Sequence, residues 1–197
     1  MRELILKMTI SVDGFVSDPE GENRWMFGAD QEAKAWGVDF IGTAGLHIMG
    51  SRSFTGMAAY WQTSDDQFAP PMNRIPKAVF SKKGPAILAG LGTPANGELQ
   101  PGAESWAQAT VSSGDLVEEI ARLKAQEGKP IMAHGGVSFA RNLVAHGLVD
   151  QFALIVAPVA LGKGLGLFSD LAEPLRLTLV RSRAFPGGAV AQIYRPA

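Results

Sequence analysis

The chain has 197 residues, of which 46% are hydrophobic and 19% charged, and a formal net charge of −1. That length suits one globular domain with a sizeable core, and the near-neutral balance excludes the global field that draws a protein to nucleic acid or a membrane surface. Without cysteine, disulfides and thiolate chemistry are excluded as well.

In chain order, Leu4, Leu6, Met8 and Ile10 alternate with Ile5, Lys7 and Thr9, the period of two that marks a strand. "SVDGFVSDPEGEN" follows as a long loop carrying the turn pairs Asp13-Gly14, Asp18-Pro19 and Glu20-Gly21. Asp30 is placed to cap a helix running to about Ile41. "LHIMG" reads as a short buried strand ending at Gly50, and "SRSFTGMAAY" as a helix starting directly after it. Residues 63–76 read as a short helix and loop, and "KAVFSK" as another strand. Residues 83–105 are rich in Gly and Pro and read mainly as loop, with room for one short strand near Ile87; a linker between domains is the rival reading. "WAQATV" is a strand candidate, and Asp115 with Glu118 resembles a capping box for the helix behind it. "KPIMAHGG" is a strand, Val137 to His146 a helix, and Gly147 its C-terminal stop. "DQFALIVAPVAL" reads as a strand buried on both faces. "LRLTLVRSRAF" and "AVAQIYRP", around Pro186-Gly187-Gly188, read as a closing antiparallel hairpin. The order predicts one α/β domain over 1–197, with a mostly parallel sheet and an antiparallel edge.

Two strand-to-helix junctions share a design. One passes from Gly50 into Ser51, Arg52 and Ser53; the other passes from Gly135-Gly136 into Val137 and Ser138. Helix N-termini offer unpaired N–H groups and partial positive charge, and glycine lets an anion approach the backbone. Two such junctions in one sheet could hold the two ends of a dinucleotide; each alone is more often an ordinary short connection. "FSKK", with Ser81, Lys82 and Lys83, ends a third strand with a hydroxyl and two cations, suited to a phosphate or to a solvated edge. Asp13 reads as turn chemistry or an acid, and Asp30 as an N-cap or a substrate carboxylate. Trp25, Phe54, Trp61 and Phe168 are candidates for a stacking pocket or for core. No nucleophile elbow, Walker A or GxGxxG occurs. Neither does any paired-histidine metal spacing or an apolar run of ~18 residues, so no metal and no membrane span is expected. The N-terminal segment, interrupted by Lys7, does not read as a secretory signal, and the cytoplasm is the expected compartment.

Four segments in order, "MTISVDGFVS", "IMGSRSF", "KAVFSK" and "IMAHGGVSFARNLVAHGLVDQFALIVAPVALGKGLGLFSD", resemble the dihydrofolate reductase-like fold. Within it they resemble most the reductase domain of the bifunctional riboflavin-biosynthesis deaminase-reductase and its stand-alone bacterial relatives. The resemblance implies a three-layer fold, NADPH as hydride donor and a small heterocyclic or sugar-like substrate of the pterin or pyrimidine riboside class. It implies cofactor contacts at Gly50, Ser51, Arg52 and Ser53, at Ser81 and Lys82, and at His134, Gly135, Gly136, Val137 and Ser138. Thr9 and Val16 would flank the nicotinamide. Ser51 stands where the family usually has arginine; Arg52 follows one place later, and Lys82 or Lys83 is the alternative cation for a 2′-phosphate. The spacing of Trp25 and Asp30 reproduces the loop tryptophan and substrate carboxylate of dihydrofolate reductases. Asp13, Asp30 or water would supply a proton; Trp25, Phe54 and Phe168 would meet the substrate. The resemblance also implies a homodimer and a cis peptide between Gly135 and Gly136. A nucleotide-binding or sensing protein without turnover is the rival expectation.

Overall fold

A computed structural model describes residues 1–26, 30–92 and 98–197. The elements are β1 (Leu4–Ile10), β2 (Phe15–Ser17), α1 (Gln31–Gly42), β3 (Leu46–Gly50), α2 (Ser51–Trp61), α3 (Ala69–Arg74) and β4 (Lys77–Phe80). Then come α4 (Glu104–Ala107), β5 (Thr110–Ser112), α5 (Leu116–Ala125), β6 (Ile131–Ala133), α6 (Val137–Ala145), β7 (Gln151–Val156), β8 (Leu165–Gly166), β9 (Leu177–Ala184) and β10 (Val190–Pro196). Eight strands form one sheet in the order β5-β4-β3-β6-β1-β7-β10-β9. All pairs from β5 to β7 are parallel, and β10 runs antiparallel to both β7 and β9. The expected mostly parallel sheet with an antiparallel C-terminal hairpin is present.

Strand alternation sorts side chains onto two faces. Leu4, Leu6, Ile48, Ala78, Ala133 and Phe152 pack with Ile120 and Leu123 of α5 and Leu143 of α6. On the other face Met49, Val79 and Met132 pack with Ile41 of α1, Phe54 of α2, Met72 of α3 and Trp106 of α4. Helices thus cover both faces, giving three layers.

Local signals explain most boundaries. Asp30 accepts from the Ala33 amide and Asp115 from those of Val117 and Glu118, so both cap as expected. Gly147, at φ 63°, ends α6. Three expectations are corrected. The segment around Ile87 is a 3-10 turn, Gly84–Leu88, rather than a strand. "WAQATV" divides into the end of α4 and β5, because Trp106 is fully buried against Phe54 while Thr110 starts the pairing with β4. The apolar run after Asp150 stays in the sheet only to Val156. The long loop after β1 also holds β2, which pairs with β8 in a separate two-stranded ribbon. Part of the Gly/Pro-rich stretch, residues 93–97, lies outside the described residues.

Candidate functional site

Register puts the strand exits side by side. Gly50 of β3 pairs with Phe80 of β4, and Phe80 with Ser112 of β5. Across the other edge of β3, Ile48 pairs with Ala133 of β6. Gly50 N–H donates to the Gly135 carbonyl at 3.3 Å, tying the two junctions directly. The Gly135–Gly136 peptide is cis, as the resemblance implied.

The glycines are set by packing as well as by any ligand. A Cβ on Gly136 would lie 2.9 Å from Ser53 Oγ, and one on Gly50 would lie 3.0 Å from Phe139 Cβ. Gly135 sits at φ +83°, where a Cβ would meet Met8 Sδ at 3.0 Å. Neither α2, after Gly50, nor α6, after Gly136, has a side-chain cap. Their first-turn N–H groups are left for an outside acceptor. Ser51 and Ser53 of α2 and Val137 and Ser138 of α6 surround this shared point, all partly accessible.

The third exit adds cations. Ser81 is buried; its N–H donates to the Ser112 carbonyl, and its Oγ accepts from the Lys83 amide at 3.2 Å. Lys82, Lys83 and Arg52 are exposed, and among the described residues none has an ion-pair partner. Thr9 lies on β1 opposite Ile155 of β7, half-buried.

Several expected residues have other work. Asp13 is not free to act as an acid: its carboxylate accepts from Ser11 Oγ (2.6 Å) and from the amides of Leu161 and Gly162 (2.7 Å to Gly162). These bonds, that of Ser11 first, hold its pKa down to about 2, so it stays ionised. Asp30 is likewise committed, through one oxygen to the Ala33 amide and through the other to the Gly187 amide at 2.6 Å. Val16, 4% exposed, packs among the core residues. Phe54 is fully buried against Trp106, and Phe168 packs on Phe152 across the opposite face of the sheet. Those two rings cannot converge on one substrate. Trp25 lies in a 3-10 turn, Arg24–Met26, with its indole N–H buried and without a hydrogen-bond partner among the described residues. The rest of the segment joining it to Asp30, residues 27–29, lies outside the described residues.

One constellation escaped the sequence reading. Lys7, His134, His47 and Lys77 form a row of bases across β1, β6, β3 and β4 on the face that α1 covers. Leu6 pairs with Ala133, which sets Lys7 beside His134; His47 pairs with Lys77. The two imidazoles meet edge to face at 4.4 Å. No carboxylate lies among the four. Lys77 Nζ donates to the carbonyls of Asn73 and Ile75 and to Ser105 Oγ, which closes the end of α3. Among the described residues Lys7 has no hydrogen-bond or ion-pair partner, and neither nitrogen of His47 has a hydrogen-bond partner. Burial pushes Lys7 down to about 8 and Lys77 to about 7. Burial, with the Lys77 charge, pushes His47 to about 3; burial and its three basic neighbours hold His134 well below its ordinary value. The sequence carries one mark of it, a lysine at an inward position of a mostly apolar strand.

Among the described residues no helix is long and apolar enough to cross a membrane, and no group of acidic or histidine side chains could hold a metal ion.

The chain is 28% identical over 193 residues to the uncharacterised protein YyaP of Bacillus subtilis, covering 98% of this chain and 94% of that one. Its fold is similar to that of the Thermotoga maritima diaminohydroxyphosphoribosylaminopyrimidine deaminase/5-amino-6-(5-phosphoribosylamino)uracil reductase. There the TM-score is 0.69 and the identity 16%, with all of this chain matching 57% of that one. It is also similar to dihydrofolate reductase from Enterococcus faecalis, complexed with NADP(H), with a TM-score of 0.60 and 12% identity over 98% of this chain and 96% of that one. The model of the RibD C-terminal domain matches residues 2–191, and the chain belongs to that family.

Proposed function

We propose that this protein is an NADPH-dependent reductase acting on a small heterocyclic or sugar-like molecule of the pterin or pyrimidine riboside class. The observation that carries the reading is the meeting of two uncapped helix N-termini at Gly50 and Gly135–Gly136, locked by the Gly50–Gly135 hydrogen bond. It is joined to three cations, Arg52, Lys82 and Lys83, that have no ion-pair partner among the described residues, at the neighbouring exits. These features fit NADPH: the amides of α2 and α6 would hold its pyrophosphate, and Arg52, Lys82 or Lys83 its 2′-phosphate, in place of the arginine usual at Ser51. When bound, the cofactor supplies a hydride. The chain's own part is to orient, to exclude water and to hold a proton.

With Asp13 and Asp30 committed elsewhere, neither is proposed as the acid. Lys7, on the same face of β1 as Thr9 and beside His134, is the group on the acceptor side that can hold a proton near neutral pH. The name of the Thermotoga protein supports a ribosylamino-pyrimidine as one acceptor. We place the activity in the cytoplasm, in a pair of identical chains. The test is NADPH oxidation, followed by absorbance, with a panel of pterins, pyrimidine ribosides and carbonyl compounds. Turnover with one of them supports the reductase. Tight NADPH binding with no turnover across the panel supports the second reading, a nucleotide-binding or sensing protein, which the engagement of both candidate carboxylates favours.

A further inference from the structure

The connection between α2 and α3 lays one ring over the acceptor side. Phe68 stands half-buried, its centroid 5.8 Å from Lys7 Nζ and 6.2 Å from that of Trp61. α1 makes room for it: a Cβ on Gly37 would lie 3.0 Å from Phe68 Cζ. A glycine inside a helix costs about 1 kcal/mol against alanine, and Gly37 is buried in the middle of α1 with nothing else so close to its missing side chain. The ring is tied down from its own segment. Asp66 accepts from the Phe68 amide at 2.9 Å and pairs with Lys34 of α1 at 2.7 Å.

We infer that Phe68, held on α1 by the Lys34–Asp66 ion pair, is the residue that closes the acceptor side of the site over Lys7 and against which an acceptor must fit. This rests on the reductase reading for its purpose but not for its test. Three observations agree on it: an amine without a hydrogen-bond or ion-pair partner among the described residues, a ring at cation–π distance above it, and a helix that leaves its side chain out where that ring lies. A molecule reaching Lys7 must displace the ring or stack on it, which selects flat, unsaturated acceptors over bulky saturated ones.

The test labels amines on the full chain by reductive methylation with formaldehyde and a borane reductant, read at each lysine by peptide mass spectrometry. In the wild-type protein Lys7 labels more slowly than exposed Lys83. Phe68→Ala speeds Lys7 labelling by about tenfold, on the scale of a local closing equilibrium. Asp66→Asn, which removes no core atom, speeds it about two- to fivefold, the worth of a partly exposed ion pair. Lys83 labelling stays unchanged in both, and cooperative melting confirms that both fold. Lys7 labelling as fast as Lys83 in the wild type, or unaltered in both variants, overturns the inference. Because labelling needs neither cofactor nor acceptor, that failure is separate from a failure to bind NADPH.

Discussion

Asp13 shows how one residue type serves two chemistries that a sequence cannot separate. An Asp-Gly after a strand is turn chemistry wherever the carboxylate finds amides, and here it finds two on the far side of the chain, Leu161 and Gly162. Its folded pKa lies below the unfolded value. Its contribution is therefore present above the ordinary carboxylate range and is lost as the pH falls from 3.8 toward about 2. Asp13→Asn should lower the melting temperature at neutral pH and flatten the loss of stability across that acid window, read by thermal melts at stepped pH. His47 behaves likewise over a different window. Neutral in the fold with a value near 3, it takes up a proton on unfolding below 6.5. Stability then falls with falling pH between 6.5 and about 3, at up to about 1.4 kcal/mol per unit. His47→Leu should remove that part of the slope in chemical denaturation. An unchanged slope would mean that the acid sensitivity comes from the other bases in the row.

At the scale of elements, the strand-to-helix junctions were legible because they are local: a strand, one or two glycines and a helix start follow each other within a few residues. What was not legible was which residues share a face. Phe54 and Phe168 look equally available as stacking groups, and only the sheet register puts them on opposite sides of it. The base row was hidden for the same reason, since Lys7, His47, Lys77 and His134 come from four strands ordered 4-3-6-1 in space. The ribbon of β2 (Phe15–Ser17) and β8 (Leu165–Gly166) pairs segments far apart in the chain and leaves no short-range mark. The structure also refines the meaning of the glycine pair, because Gly136 faces Ser53 of the other junction. Gly136 has φ −51°, which alanine accepts. Gly136→Ala should therefore fold but push Ser53 and the first turn of α2 aside, weakening NADPH binding by about tenfold or more, on the scale of one displaced charge-assisted contact. Wild-type affinity in that variant would reduce the glycine to an ordinary turn.

For the whole molecule, the sheet ends in a strand left largely open to solvent. β9 is the outermost strand, and seven of its eight residues are exposed, including Leu179 at 51% and Val180 at 55%. A long exposed edge with apolar side chains is a site for pairing, and a second copy of the chain is the partner proposed for it. Sedimentation should find a species of twice the 20.9 kDa chain mass, which Val180→Glu converts to monomer; a wild-type monomer would contradict the pairing. Family, fold and the placement of the junctions all bear on one claim, that this sheet end holds NADPH. Calorimetric titration of the wild-type protein with NADPH tests it most directly. The account predicts saturable binding at about micromolar affinity or tighter, lost on combined replacement of Arg52, Lys82 and Lys83. No heat of binding with NADPH or NADH at near-millimolar concentration would contradict it.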